Sequence, residues 1–150
     1  MAIVNYTLQR NVTGNGLLVT WASLSTSSNS LDTGQVFPSS LDYAYGGMLF
    51  SDKSIQCFRS GTTATVDTQV LIEGSNEMAQ VDPTLLTFAT LTDPQGNALT
   101  FLGATNTFRI EGILENCVYI RPRITTVTTT TWAADVRLLL TSVRGDRTGM

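Results

Sequence analysis

The sequence TVDTQVLIE, residues 65–73, decides the fold class because its two sets of alternate residues differ in polarity. A period of two places successive side chains on opposite faces of an extended strand. Gly74-Ser75-Asn76 follows directly, and these residues tolerate the tight backbone of a turn. The stretch therefore predicts a half-buried β-strand that ends at this turn. One face carries Val66, Thr68, Val70 and Ile72, and the other carries Asp67, Gln69, Leu71 and Glu73.

The same alternation returns towards the C-terminus. In the segment 117–126 the apolar face carries Val118, Ile120 and Ile124, and the polar face carries Tyr119, Arg121 and Arg123. Pro122 lies on the apolar face and lacks an N–H, which predicts an edge strand or a bulge. Ala134–Val143 is predicted as the last strand, with Val136, Leu138 and Leu140 facing the core.

Between these strands the sequence is marked by turns and loops. Asp93-Pro94-Gln95-Gly96-Asn97 predicts a turn, since Pro fixes φ and Gly permits a positive φ. Ser23–Ser40 is rich in serine and is predicted as a long surface loop. We expect about eight to ten strands and no helix, which favours an all-β fold, an antiparallel β-sandwich or jelly roll. Residues 1–45 are predicted to form an N-terminal arm or strand pair with this loop, residues 46–143 the sandwich and residues 144–150 a polar tail of one domain.

Composition narrows the range of functions that we expect for this protein. The 150 residues are 42% apolar but only 14% charged, against about 25% charged in typical soluble domains. So few charges suggest that much of the surface lies against partners. The net charge of −3 gives no general attraction to nucleic acid or anionic membranes. The chain has no histidine, the usual near-neutral base and the commonest metal ligand, so we predict no enzyme activity, cofactor or metal.

The two cysteines and the N-terminal sequence indicate the cellular compartment in which the protein is made. Cys57 and Cys117 lie far apart without metal-ligand spacing, and two reduced thiols are favoured over a disulfide. MAIVNYTLQR lacks the basic and apolar regions of a signal peptide, and no apolar run reaches the roughly 20 residues of a membrane helix. We therefore expect synthesis in a cytoplasm and no membrane partner.

Four segments occur in an order that resembles small virion proteins of tailed bacteriophages. They are TVDTQVLIEGSNE, ATLTDPQGNALTF, VYIRPRIT and DVRLLL, within residues 57–140. In those proteins a strand ends in GSNDG and a later strand carries YIRPRVT. The relatives usually continue DGxNW after the first motif, whereas Met78-Ala79-Gln80-Val81-Asp82-Pro83 follows here. A turn is therefore remodelled, and the first 45 residues have no counterpart.

The resemblance implies a β-sandwich protein that decorates or cements a phage capsid. Such a protein bridges neighbouring major capsid subunits, lies on the capsid surface of the virion and often forms a homotrimer. Many weak contacts over a lattice give avidity without one strong site. Two alternatives remain open: a carbohydrate-binding module on a fibre or capsid, and a component of the tail or baseplate.

Five residues are candidates for an interface. Tyr119, Arg121 and Arg123 form a basic and aromatic strand face that could anchor on an acidic partner, or could simply be solvated. Arg137, on the next predicted strand, could extend this face as a cross-strand neighbour. Trp132 lies near a turn and is either an exposed anchor or part of the core.

Other polar residues offer little chemistry. Glu111 and Glu115 could suggest acid–base catalysis, but no partner motif accompanies them. Asp93 and Asn97 could approach a calcium ion, although the turn explains both residues better.

Overall fold

The structure is a computed structural model whose described residues form thirteen strands. It describes residues 2–10, 16–27, 30–38, 52–59, 69–77, 85–102, 109–115, 117–125 and 132–141. The strands form two sheets, which confirms the predicted all-β class. Within the described residues no helix is long and apolar enough to cross a membrane.

Sheet I has seven strands. They are β1 (Ile3–Val4), β5 (Thr33–Gly34), β6 (Phe37–Pro38), β8 (Gln69–Ser75), β9 (Ala89–Thr90), β10 (Thr100–Leu102) and β12 (Tyr119–Ile124). The main path runs β1–β5–β12–β8–β10, and β6 and β9 pair beside β12 and β8. Only β1 and β5 are parallel among these pairs of described strands.

Sheet II has six strands. They are β2 (Tyr6–Arg10), β3 (Gly16–Ser27), β4 (Ser30–Leu31), β7 (Asp52–Arg59), β11 (Ile110–Gly112) and β13 (Trp132–Thr141). The order is β11–β7–β13–β3–β2, and β4 pairs beside β3. The longest strands, β3, β7 and β13, are therefore neighbours in the middle of the sheet.

One hydrophobic core is shared by the two sheets. Sheet I contributes the predicted inward residues of β8 and β12, and sheet II those of β13, all fully buried: Val70, Ile72, Ile120, Ile124, Val136, Leu138 and Leu140. Trp21 is the largest side chain in the core, and its indole Nε1 donates to the Gln35 carbonyl at 2.8 Å. Tyr6 packs edge-on against Trp21 and Phe37. The polar tip of the indole is thus satisfied while its ring fills the core.

A β-bulge bends β3 in the middle of sheet II. Between Trp21 and Leu24, β3 has one residue more than the facing segment of β13. Ser23 has a φ of 57°, in the left-handed region that favours glycine. Its amide donates to the Asp135 carboxylate at 2.8 Å, so a side chain takes the place of the lost ladder bond.

Pro122 is accommodated inside sheet I. The amide of Thr125 donates to Gln69 on the β8 side, and that of Ile124 donates to Asp32 on the β5 side. Because amides alternate in direction along a strand, the Pro122 nitrogen also faces the β5 side. There β5 and β6 pair with β12 on either side of Pro122 and leave a gap. β12 is therefore not an edge strand, contrary to one of the two predicted alternatives. Its neighbour on the β5 side is interrupted at the position where Pro122 lacks an N–H.

The prediction of a serine-rich surface loop over Ser23–Ser40 is wrong for the described residues of that range. β3 continues to Ser27, and β4, β5 and β6 all lie within residues 30–38. Asp32, Thr33 and Phe37 are buried there. The backbone N–H and the hydroxyl of Ser25 both donate to Asp32 at 2.9 Å, which explains how serine-rich chain can enter a sheet.

Of the two predicted alternatives for the N-terminus, an arm or a strand pair, the described residues form the strand pair, since β2 and β3 are antiparallel neighbours. However, β3 is an interior strand that also pairs with β13, so it is not a separate arm. The two predicted boundaries, after residue 45 and after residue 143, lie outside the described residues.

Candidate functional site

The outer face of β12 holds three of the predicted interface residues. Tyr119, Arg121 and Arg123 are partly exposed, while the alternate residues between and beyond them are buried. The two arginines lie one strand repeat apart, about 7 Å between Cα atoms. The polar face predicted from the alternation is therefore formed, and it lies on sheet I.

A buried carboxylate joins the two arginines. Glu73 lies directly opposite Arg121 on β8, and its side chain is only 6% exposed. Arg121 Nε donates to one carboxylate oxygen at 3.0 Å, and Arg123 Nε donates to the other at 2.8 Å. Arg123 Nη2 also lies 2.7 Å from that second oxygen. Each oxygen of Glu73 thus binds one guanidinium.

Arg121 is held from a second direction. Its guanidinium carbon lies 3.7 Å from the centroid of the Phe88 ring, a cation–π contact. The side chain is 22% exposed, against 37% for Arg123. We call Glu73, Phe88, Arg121 and Arg123 the arginine clamp. Both guanidinium groups are pre-positioned, and the clamp keeps one positive charge in excess.

The clamp can bind an anionic group at its surface. Glu73 occupies the Nε side of both arginines, and an arginine has five N–H donors. Terminal donors at partly exposed positions remain for a carboxylate of a partner, in the geometry that guanidinium groups favour. Sequence reasoning missed Glu73 and Phe88. Glu73 stood on a predicted polar face, but only the register between β8 and β12 places it opposite Arg121.

Arg137 does not extend the clamp, contrary to the prediction. It lies on β13, which pairs with β3 and β7 in sheet II, whereas β12 belongs to sheet I. Strands that are consecutive in sequence have here entered different sheets. The Arg137 guanidinium carbon lies 4.3 Å from the centroid of the Phe58 ring on the neighbouring strand β7.

Arg137 instead lies on the outer surface of sheet II, where the flanking cross-strand pairs Asp135–Phe58 and Thr141–Asp52 each carry one further charge. Two cross-strand rows form its centre, and we call them the sheet II face. One row contains Thr7, Thr20, Arg137, Gln56 and Ile110, and the other contains Gln9, Leu18, Leu139, Ser54 and Gly112. Arg137 is the single charged residue in the two rows. Ile110 is 63% exposed and Leu139 is 40% exposed.

Trp132 is the first residue of β13, and its backbone pairs with Thr26 of β3. Its side chain lies outside the part of the chain that the structure describes. Trp132 therefore stays a prediction as an interface anchor.

The acidic residues considered for catalysis have structural partners. Glu111 pairs with Arg109. Glu115 accepts the backbone N–H and the hydroxyl of Thr92. Burial opposes ionisation of Glu115, but these hydrogen bonds outweigh it and lower the pKa of the carboxyl group.

The turn predicted at residues 93–97 is confirmed, and the Asp93 side chain holds it. Its carboxylate accepts the Asn97 side chain at 3.0 Å and the amides of Asn97 and Gln95 at 2.8 and 2.9 Å. The bonds from Asn97, followed by those from neighbouring amides, lower the pKa of Asp93. Gly96 has a φ of 86°. Within the described residues no group of three metal-ligating side chains occurs.

Both cysteines and the single lysine of the sequence are buried. Cys57 and Cys117 are thiols that form no disulfide. Burial, aided by the nearby Asp135 carboxylate, raises the pKa of the Cys57 thiol to about 12. Burial lowers the pKa of Lys53, although Cys117 and Asp52 act in the opposite direction. A thiol with so high a pKa is a poor nucleophile near neutral pH.

Comparison with known proteins gives no relative: no family model, curated protein or solved structure matches the chain. The candidate sites are therefore the two outer faces, one with a partly compensated charge cluster and one whose two central rows carry a single charge.

Proposed function

We propose that this chain is a structural virion protein that decorates a bacteriophage capsid and stabilises it by bridging neighbouring major capsid subunits. The sheet II face is the observation that carries the proposal. Two rows across five strands, about 19 Å wide, present one charged residue and two exposed large aliphatic side chains. Such a surface gains by covering its apolar atoms, and depletion of charge is typical of interface cores.

The arginine clamp supplies the second contact of the proposed bridge. It lies on the outer face of sheet I, opposite the sheet II face across the core. A molecule with contact surfaces on its two opposite sides can touch two neighbouring subunits at once. In this proposal the sheet II face covers apolar surface of one capsid subunit, and the clamp receives an acidic side chain of the next.

The remaining parts of the proposal rest on the sequence resemblance. The protein acts as a homotrimer on the capsid surface, is made in the host cytoplasm and catalyses no reaction. The two sheets form a jelly roll, which is supported by the way the chain passes repeatedly between them, as between β7, β8, β11, β12 and β13.

Copy number in purified virions tests the function. Quantitative mass spectrometry should give one copy per major capsid subunit, or a simple fraction of that ratio. A few copies per particle would place the protein in the tail or baseplate, and absence from virions would refute the structural role.

The role of the sheet II face is tested by rebinding the protein to capsids from which it has been removed. Leu139→Lys adds a charge to the centre of the sheet II face and should weaken capsid binding about tenfold or more. Gln95→Lys is the matched control, because it adds the same charge to an exposed turn residue. Equal binding by the two variants would remove the sheet II face from the proposal.

A further inference from the structure

A small pocket lies beside the arginine clamp and shares Phe88 with it. It has a volume of about 280 Å³ and lies where β8 ends and β9 begins. Its lining includes Asn76, Thr87, Phe88, Thr90, Glu115 and Cys117. This volume is slightly below the roughly 300–1,000 Å³ of typical small-molecule pockets, so it suits one small ring.

Two polar groups of the lining are fixed by the protein itself. The Asn76 side-chain oxygen accepts the Val118 amide at 3.2 Å, so the amide NH₂ of Asn76 is turned away from this bond. The Glu115 carboxylate is held by Thr92: its Oε1 accepts both the backbone N–H and the hydroxyl, whereas its Oε2 accepts only the N–H, at 2.9 Å, and keeps a lone pair for a ligand. A donor and an acceptor are therefore pre-positioned at the pocket without further ordering.

The charged groups at the pocket, the Glu115 carboxylate and the Arg121 guanidinium beside Phe88, have opposite signs. Glu115 is ionised near neutral pH, since its pKa is lowered, and it repels anions. A cation would ordinarily favour the Phe88 ring, but the Arg121 guanidinium already lies over that ring. A second positive charge there would be repelled. A ligand of either charge is thus attracted by one of the two groups and repelled by the other, so a net charge gains it little, and a neutral polar ligand is favoured.

We infer that this pocket binds a neutral polyhydroxylated ring, such as a single sugar residue. Sugar hydroxyl groups donate and accept at once, which matches the Glu115 acceptor, the Asn76 donor and the exposed Thr87 and Thr90. The C–H face of a sugar ring can pack against Phe88. The site does not depend on capsid decoration, and its residues differ from those of the sheet II face.

Binding is tested on the isolated chain by saturation-transfer NMR and calorimetry with glucose, galactose, mannose and N-acetylglucosamine as probes. At least one sugar should bind saturably, and acetate and methylammonium should not. No saturable binding by any of the four sugars, or equal binding of the charged probes, would overturn the inference.

Two substitutions locate the site. Asn76→Asp keeps the acceptor for the Val118 amide but replaces the donor, and it should weaken sugar binding about tenfold. Thr90→Val, at an exposed strand position, removes a hydroxyl group and keeps the side-chain shape, and it should also weaken binding. Asn5→Asp makes the same substitution at an exposed position between β1 and β2, outside the pocket and both outer faces, and it should leave binding unchanged. Folding of each variant is checked by its melting temperature, and unchanged binding in a folded Asn76→Asp or Thr90→Val would refute the assignment.

Discussion

Replacement of Glu73 by glutamine should destabilise the fold through the arginine clamp. The Glu73 side chain is only 6% exposed, and each of its carboxylate oxygens accepts from one guanidinium. Glutamine keeps the shape and one acceptor, but it turns an NH₂ group towards one of the arginines. One charge-assisted hydrogen bond is then lost, which costs about 1.5–3 kcal/mol, and a donor faces a donor.

Partial exposure of the two arginines limits the loss of stability that Glu73→Gln causes. Arg121 is 22% and Arg123 is 37% exposed, so water can take over part of their solvation. We therefore expect Glu73→Gln to lower the free energy of unfolding by about 2 kcal/mol. For a domain of this size that corresponds to a fall of about 4–8 °C in melting temperature.

Glu111→Gln is the matched control for this prediction. It makes the same substitution in an ion pair whose arginine, Arg109, is 53% exposed. Such a surface pair contributes roughly 0–1 kcal/mol, so the control should lose little stability. Urea unfolding of both variants measures the difference. If Glu73→Gln costs no more than Glu111→Gln, the clamp does not hold sheet I as we argue.

Three further substitutions test the packing and the backbone of the two sheets. Gly34→Ala should lower the free energy of unfolding by about 1–3 kcal/mol in urea unfolding, because a Cβ would lie 2.5 Å from the Pro122 ring. Ser23→Gly should raise it by roughly 0.5–1 kcal/mol, since glycine adopts the φ of 57° without strain; a loss of stability would mean that the bulge is not strained there. Folding raises the pKa of the Cys57 thiol from 9.0 to about 12. The stability that the protonated thiol contributes is therefore fully present below pH 9.0 and is lost as pH rises through 12. Between about pH 8 and about pH 10 the wild type should therefore lose more unfolding free energy than Cys57→Ala, whose curve should be flatter.

The strands that the sequence predicted best are those with strict alternation. β8, β12 and β13 bury the apolar residues expected of them, because a period of two determines which side chains share a face. The pattern does not determine which strand pairs with which. Arg137 was assigned to the neighbourhood of Arg121 because their strands are consecutive, and consecutive strands often pair. Here the chain crosses to the other sheet between β12 and β13.

Long-range pairing also explains what was missed at the site. Glu73 reaches Arg121 over 48 residues of sequence, and Asn76 reaches Val118 over 42. Neither contact leaves a local signal. Ser25 and Asp32 are closer, but their bonds become visible only when β3 is known to continue past the bulge. Serine-rich composition by itself indicated a loop.

The N-terminal residues bear on how the proposed bridge could work. β1 pairs with β5 in sheet I, β2 pairs with β3 in sheet II, and Tyr6 packs on the buried Trp21 between them. Residues 2–10 therefore connect the two sheets. Release of this segment as an attachment arm would expose Trp21 and Phe37 to water, at a cost of about 1.5–3 kcal/mol for each large side chain. Attachment by the preformed outer faces avoids that cost. In the proposed function, the described N-terminal strands thus stabilise the particle by holding the two docking faces at a fixed distance, and not by reaching for a neighbour.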